Sequence, residues 1–356
     1  MTVETEVGRG KLPPSSLAGE GTPSWWARSR GTIEAWGFMT PAAVLVIVFF
    51  FIPILLITYM SFLDIEGSNF VDNPEIWSPS NLSLDQYSRL FKDRFVTKIL
   101  GNTVLYVIVT LSLFNVGMAL LIALLTTHIA RRAGYLFRVV WLLPRITPVV
   151  IYVLIWKRIG GPEPFGILNQ LIPSGIIEAR NWIFSSACLF PSLCDSGVPL
   201  AGFLTSSWFF VVLINGYVGA SFGMIIFSSA IASIPQDYIR AAQVDGASTL
   251  QRIRYVVIPM IKWPLLFVTT FQALSLLTSY VEILLLTNGG PGLFHTETWA
   301  LTSYKRAFSS YFGNAQYSFA AAWAVLLVII GVSVSLILLW KFRFNELVEE
   351  PKIDSI

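Results

Sequence analysis

Five apolar runs, at residues 41–60, 103–125, 208–231, 263–286 and 319–340, each reach the roughly 20 residues that a helix needs to cross the hydrocarbon of a bilayer. Lipid offers no water to exposed N–H and C=O groups, so only helices and closed barrels span it, and runs of this length belong to helices. A sixth stretch, residues 137–156, is interrupted by Pro144, Arg145 and Pro148. It still counts as a span, because membrane helices tolerate proline where neighbours bond the freed backbone groups. The expected fold is all-α: a polytopic membrane protein with six transmembrane helices. Composition agrees, with 54% hydrophobic and 13% charged residues, against roughly 25% charged in an ordinary soluble domain.

Orientation follows from the lysines and arginines. Fourteen of the 24 fall in segments on the amino-terminal side, including Arg131, Arg132, Arg138, Arg240, Arg252 and Arg254, whereas the longer loops on the other side hold nine. The positive-inside rule then puts both termini in the cytoplasm, and Trp36, Trp156, Trp208, Trp263 and Trp340 stand at span ends as an aromatic belt requires. Residues 1–38, rich in Pro, Ser, Gly and charge, read as a disordered cytoplasmic leader. Residues 39–62 form the first transmembrane helix, which begins too far from Met1 for an ordinary signal peptide and is expected to be retained. The main transmembrane domain is expected over residues 99–342, with a cytoplasmic tail at 343–356. A net charge of +3 without a basic stripe sets nucleic acid aside as a partner, and membrane lipid is the expected surroundings. Cys188 and Cys194, both in the loop between the third and fourth spans, are either a disulfide or two thiols. They are too few for a zinc site.

Residues 233–264 form the one elaborate inner connection. Ser233 is predicted to cap a short helix entered through Pro235, Gly246 to end it, and Ser248 to start a second helix that stops ahead of Pro259. Asp245 is expected to hold the turn or to cap the second helix. An amphipathic helix lying on lipid would seldom carry such an Asp-Gly-Ala break, so the segment reads as a rigid elbow shaped to be gripped by another protein.

This elbow resembles the coupling loop of permease subunits of binding-protein-dependent ABC importers, whose pattern is Glu-Ala-Ala, three residues, Gly, then Ile-x-Leu-Pro. Here it stands as Arg240-Ala241-Ala242, Asp245-Gly246-Ala247, then Ile258-Pro259 and Pro264, with Arg240 in place of the glutamate. Leu143-Pro144 with Pro148 and Trp156, Gly166 followed by Asn169, and Leu286-Thr287-Asn288-Gly289-Gly290-Pro291 are similar to sugar-importer permeases of the maltose, trehalose and glycerol-phosphate branch. The resemblance runs from Thr103 to the last span. It implies a type I ABC importer permease fold with a cytoplasmic coupling helix, in the plasma (inner) membrane of a prokaryote. It also implies three kinds of partner: a second homologous permease subunit, a dimer of ABC ATPase subunits and an extracytoplasmic sugar-binding protein. ATP and magnesium would sit on the ATPase, and this chain would bind no cofactor and no metal.

Polar residues inside spans are costly and mark candidate paths. Ser275, Thr278, Ser279 and Glu282 fall at helical spacing on one face of the fifth span, either lining a hydrophilic path or serving as packing glue. Asn215, Gly219 and Phe222 share a face of the fourth span, where close helix packing is the competing reading for Asn215 and Gly219. The resemblance implies substrate contact at Asn215 and Gly219, with Phe222 standing where the family has a tyrosine and Thr278 and Ser279 where it has two asparagines. Arg145, beside Pro144, is expected to bond freed carbonyls or to pair with Glu282 or with an acid of a partner. No Gly-x-x-x-x-Gly-Lys-[Ser/Thr] loop occurs, and His128 and His295 lie on opposite sides of the membrane, so no catalytic role is expected and ATP hydrolysis belongs to another polypeptide. The leading expectation is a permease subunit that passes a di- or oligosaccharide, or a related polyol, inward by alternating access. An ion-gradient-driven carrier is the alternative, disfavoured by the lack of inverted repeats and of a second intramembrane carboxylate. A membrane-embedded transferase would need a cluster of acids or histidines that the sequence does not hold.

Overall fold

The computed structural model describes residues 25–67, 69, 74–172, 180–189, 194, 201–308 and 314–341. Helix dominates them, and the only pairing of extended backbone among the described residues is the single bridge between Cys188 and Thr205. Four uninterrupted spans are present: Trp36–Met60, Val96–Thr127, Ser206–Ala232 and Tyr317–Lys341. Two more are bent, Arg132–Ile146 meeting Val149–Ile159 at 98° and Thr249–Met260 meeting Lys262–Thr278 at 73°. With each bent pair taken as one span, the expected six are there.

Proline shapes the interruptions. The third span bends after Pro144, which stays inside Arg131–Ile146. The break falls at Thr147, held extended (φ −75°, ψ 132°) by the proline that follows it, and Pro148 leads into the next helix. The Leu143 carbonyl accepts both the Thr147 N–H at 3.2 Å and the Thr147 hydroxyl at 2.8 Å, which ties the break to the last helical turn. A wide π-helical turn at Ile47–Phe51 precedes Pro53, and another at Ile253–Val257 precedes Pro259. Each lets the helix run on past a residue that cannot donate.

Residues up to Leu56 form one compact unit and those from Ile57 onward a second. In the first, helix begins at Trp25, inside the segment expected to be a disordered leader. Ala27, Arg28 and Arg30 are strong helix formers, and a signal based on polarity alone does not register them. Residues 1–24 and 342–356, which include most of the leader and the whole tail, lie outside the described residues.

In the second unit the second, fourth and fifth spans meet at a stripe of small residues. A Cβ added at Gly216 would fall on the Phe114 side chain, one at Gly219 on the Asn115 carboxamide, and one at Gly223 on Ala119 and the Asn115 carbonyl. Phe114 and Asn115 belong to the π-helical stretch Leu111–Met118, so a wide turn of one helix presses onto the glycine face of another. The fifth span adds a polar tie, Gln272 Nε2 donating to the Gly219 carbonyl at 2.7 Å in a fully buried setting. Close approach through small residues with an occasional hydrogen bond is how helices associate in lipid, where no hydrophobic force drives them together. Nearer the loop side, Trp299 packs against Trp323 with the rings tilted and their centroids 4.4 Å apart. The Trp299 indole donates to the Trp323 carbonyl at 2.7 Å, and its backbone N–H donates to Thr103 Oγ1 at 2.9 Å. Cys188 and Cys194 are joined in a disulfide, which decides between the two expectations for them.

A side chain at Gly219 would therefore overpack the three-helix junction. Gly219→Val is expected to lower stability by about 1–3 kcal/mol, read as thermal unfolding in detergent, with Asn115→Ala in the same chain restoring most of it.

Candidate functional site

Two regions carry function-bearing geometry, and the first is the elbow. Ser233 closes the fourth span instead of opening the elbow, its N–H donating to the Ser229 carbonyl at 3.1 Å and its hydroxyl to the Ala230 carbonyl at 2.8 Å. The short helix Gln236–Val244 is entered directly from Pro235, without a side-chain cap. It ends in a Schellman turn: Ala247 N–H donates to the Ala242 carbonyl at 2.9 Å and Gly246 N–H to the Gln243 carbonyl at 3.1 Å. Gly246 sits at φ +77°, where residues with a Cβ are strained. Ser248, and not Asp245, caps the next helix through a reciprocal box with Gln251, whose side-chain oxygen accepts from Ser248 N–H at 2.8 Å. That helix runs past Pro259 to Met260, two residues beyond the expected stop, and breaks at Ile261.

The elbow has two faces. Ile239 packs inward against the group of Phe227, Ile231 and Ile234. Tyr238, Arg240 and Ala241 point outward, and so do Val244 and Leu250, apolar side chains that are 87% and 75% exposed. Arg240 pairs with Asp237 at 3.9 Å, both well exposed, so the pair adds little stability. Ala242, Ala247 and Ile258 are half-buried, and Asp245, Gly246 and Pro259 are exposed.

The second region is a polar seam between spans. Asn215 Nδ2 donates to Ser279 Oγ at 3.0 Å, and Ser279 Oγ donates to Glu282 Oε2 at 2.9 Å. Tyr152, on the third span, donates its hydroxyl to Glu282 Oε1 at 3.0 Å. The expected single face from Ser275 to Glu282 is not one helix. Lys262–Thr278 ends, Ser279 is extended (φ −70°, ψ 124°), and a new helix runs Val281–Leu286. Serine side chains compete with the helix for backbone partners, and here Ser279 bonds the first-turn carboxylate of the following helix. Ser275 and Thr278 are exposed on the chain's flank, and the Thr278 hydroxyl donates back to the Leu274 carbonyl at 3.1 Å. Gly219 stands apart from the seam, enclosed by Asn115, which is the close-packing reading. Phe222 is half-buried, stacked on Phe271 at 4.8 Å. Arg145 lies over the Phe222 ring at 5.1 Å, while the two carboxylate oxygens of Glu282 accept from Ser279 and Tyr152.

On the loop side, Lys305 and Glu297 form a buried ion pair at 2.7 Å. The same ammonium donates to the Asn288 carbonyl at 2.8 Å, and the Thr296 hydroxyl to that of Gly290 at 2.7 Å. These bonds pin the turn whose Asn288 (φ 49°) and Gly289 (φ 79°) take left-handed backbone. Burial pushes the Glu297 carboxyl above its ordinary range, with Lys305 opposing. Burial, followed by the nearby Lys98, holds His295 below its ordinary range. Asn169 clasps the loop after the third span, donating to the Gly161 and Arg180 carbonyls at 2.9 and 2.8 Å and accepting from the Trp182 indole at 2.8 Å. Tyr152, Gln272, Glu297 and Lys305 were not singled out from sequence, since each role depends on a partner distant along the chain or across a turn.

A stiff elbow joining two spans is an arrangement that suits a membrane permease. A family model described as "Binding-protein-dependent transport system inner membrane component" matches residues 116–342. The chain belongs to this family, as a permease subunit of a binding-protein-dependent ABC importer in the inner membrane. The protein called probable ABC transporter permease protein YurN of Bacillus subtilis strain 168 is 28% identical over 309 residues, 86% of this chain and 94% of that one. The alpha-glucoside transport system permease protein AglF of Rhizobium meliloti strain 1021 is 25% identical over 323 residues, 89% of this chain and 83% of its own. Among solved structures, a bacterial ABC transporter involved in the import of the acidic polysaccharide alginate aligns with TM-score 0.69 at 18% identity, covering 89% of this chain and 98% of the other. At that identity the likeness is one of fold.

Two outcomes follow from the geometry. Gly246→Pro removes the N–H that bonds Gln243 and forbids the positive φ, so it is expected to abolish uptake by the assembled importer while membrane insertion, read by fractionation and protease accessibility, persists. Lys305→Ala leaves the Glu297 carboxylate buried and unpaired, at an expected cost of about 3–5 kcal/mol in detergent unfolding. Adding Glu297→Gln should recover part of it.

Proposed function

We propose that this chain is one of two permease subunits of an ATP-driven importer that moves a di- or oligosaccharide, or a related polyol, into the cell by alternating access. Both termini and the elbow lie in the cytoplasm. A dimer of ATPase subunits, which holds the ATP and magnesium, grips the elbow, and an extracytoplasmic binding protein delivers ligand to the opposite side. The observation that carries this reading is the elbow itself: a Schellman corner followed by a capping box, with Val244 and Leu250 exposed on its outward face. Apolar side chains projecting from a rigid polar corner fit burial against a protein partner. Arg240, Ala241, Ala242, Asp245, Gly246 and Ala247 form that corner, and Ile258 and Pro259 connect it to the fifth span.

The passage is proposed along Asn215, Ser279 and Glu282, with Phe222, Ser275 and Thr278 on its wall. Gly219 contributes by letting the helices behind it close up. Non-helical backbone at membrane depth is tolerated where protein covers it or water reaches it, and the break at Ser279 lies beside a carboxylate, an amide and a phenol. Such a set of donors and acceptors suits hydroxyl-rich ligands. The sugar assignment is supported by relatives such as AglF, whose name specifies alpha-glucosides.

The complex reconstituted in vesicles is expected to take up sugar only with an active ATPase and to be indifferent to a protonophore. Uptake collapsed by the protonophore alone would instead favour the ion-driven carrier. Glu282→Gln and Asn215→Ala, which unpair members of the seam, are expected to weaken uptake about tenfold or more while the ATPase activity of the assembled complex survives. Wild-type uptake in both would remove the seam from the path.

A further inference from the structure

Behind the elbow, on the face turned away from the exposed Val244 and Leu250, lies a cavity of about 520 Å³ where the second, third and fourth spans end. Its wall has two halves. Ile231, Ile239 and Val257 supply apolar surface, whereas Arg138, Arg252 and Thr127 supply charge and a hydroxyl. Among the described residues no aspartate or glutamate lines it. Arg138 uses its Nε on the Gly134 carbonyl at 3.2 Å, and Arg252 uses one terminal nitrogen on Thr249 Oγ1 at 3.0 Å. The Nε of Arg252 is buried without a partner. Two guanidinium groups with unspent donors and, among the described residues, no counter-ion define a hole for an anion, and guanidinium forks match phosphate oxygens.

We infer that this cavity binds the phosphate of an anionic phospholipid, its diacylglycerol end against the isoleucines and its headgroup phosphate between Arg138 and Arg252. The position favours lipid over a free anion. Helix ends mark the depth of the headgroups, and half of the wall is aliphatic, which a lone phosphate would leave unmatched. A lipid seated there would fill the space between the elbow and the spans and stiffen the joint. This goes beyond the transport reading, and its test does not use uptake.

The assembled complex, delipidated in neutral detergent, is titrated with dioctanoyl phosphatidylglycerol, with dioctanoylglycerol lacking the phosphate, and with sodium phosphate, and thermal unfolding of this chain is followed. Phosphatidylglycerol is expected to raise the midpoint saturably and the other two to leave it unchanged. Arg138→Gln with Arg252→Gln should weaken the apparent affinity about tenfold or more. Arg254→Gln, outside the cavity wall, should leave it as in the wild type. Native mass spectrometry of the wild type, which does not depend on the variants folding, should retain phosphatidylglycerol on the complex. Unchanged affinity in the double variant, an equal shift from sodium phosphate, absence of the lipid adduct, or occupation of the cavity by an ATPase side chain in a crosslink from residue 138 or 252 would each overturn the inference.

Discussion

Inside a bilayer, backbone that leaves the helix must find its partners within the protein, and much of this architecture follows from how that demand is met. The chain leaves the helix at Thr147, at Ile261 and at Ser279. At Thr147 a hydroxyl returns to the Leu143 carbonyl. At Ile261 the N–H donates to the Val257 carbonyl at 3.1 Å and Leu265 donates to Ile261 at 2.9 Å, so two helices share one hinge residue with little left unbonded. At Ser279 the N–H reaches Leu276 at 3.2 Å and the side chain carries the polar seam onward. Each interruption is local and bonded, so the flanking helices stay rigid and a break becomes a place where direction changes.

Rigidity matters because the proposed work is mechanical. The elbow joins the fourth and fifth spans, and those two spans are tied to each other by Gln272 on the Gly219 carbonyl, with Asn115 of the second span wedged alongside. A push on the elbow therefore reaches a three-helix block and not a single rod. The seam lies beside the same two helices, Asn215 on one and Ser279 at the break that ends the other, held to the third span through Glu282 and Tyr152. The neutral Asn215–Ser279 bond is worth about 1 kcal/mol net and the two to the Glu282 carboxylate about 1.5–3 kcal/mol each, so in the proposed cycle a polyhydroxylated ligand that takes over these partners would offset what the motion breaks.

What could be read from sequence was what rests on neighbours along the chain. Gly246 as a left-handed stop and Ser248 as a cap were legible because a Schellman turn and a capping box are complete within six residues or fewer. Ser233 carries no such local signature, because a serine two residues before proline looks the same whether it ends one helix or starts the next. Gly219 announced a close approach, and only the fold could say that Asn115, from a span about a hundred residues earlier, is what approaches. Glu282 stood out by the cost of a carboxylate in lipid, while Tyr152 on another span was invisible. Glu297 and Lys305 are hidden for the opposite reason: charged residues outside an apolar run read as solvated, and their burial is a tertiary fact.

The substitution at Arg240 bears on how such an elbow is gripped. The family pattern carries a glutamate there, yet here the position is exposed and, among the described residues, its cation meets an exposed Asp237 at 3.9 Å. Solvent screens a charge in that setting, and pairs of this kind contribute little. The backbone turn, by contrast, is specified by Ala242, Gln243, Gly246 and Ala247 through two hydrogen bonds, none of which involves the side chain at 240. Exposed Tyr238, Val244 and Leu250 supply the area available to bury. A grip built on shape and apolar surface tolerates reversal of one rim charge. In the proposed assembly the partner's complementary rim is then expected to have exchanged its own sign, so the identity of residue 240 would govern which ATPase docks more than how firmly the elbow transmits force.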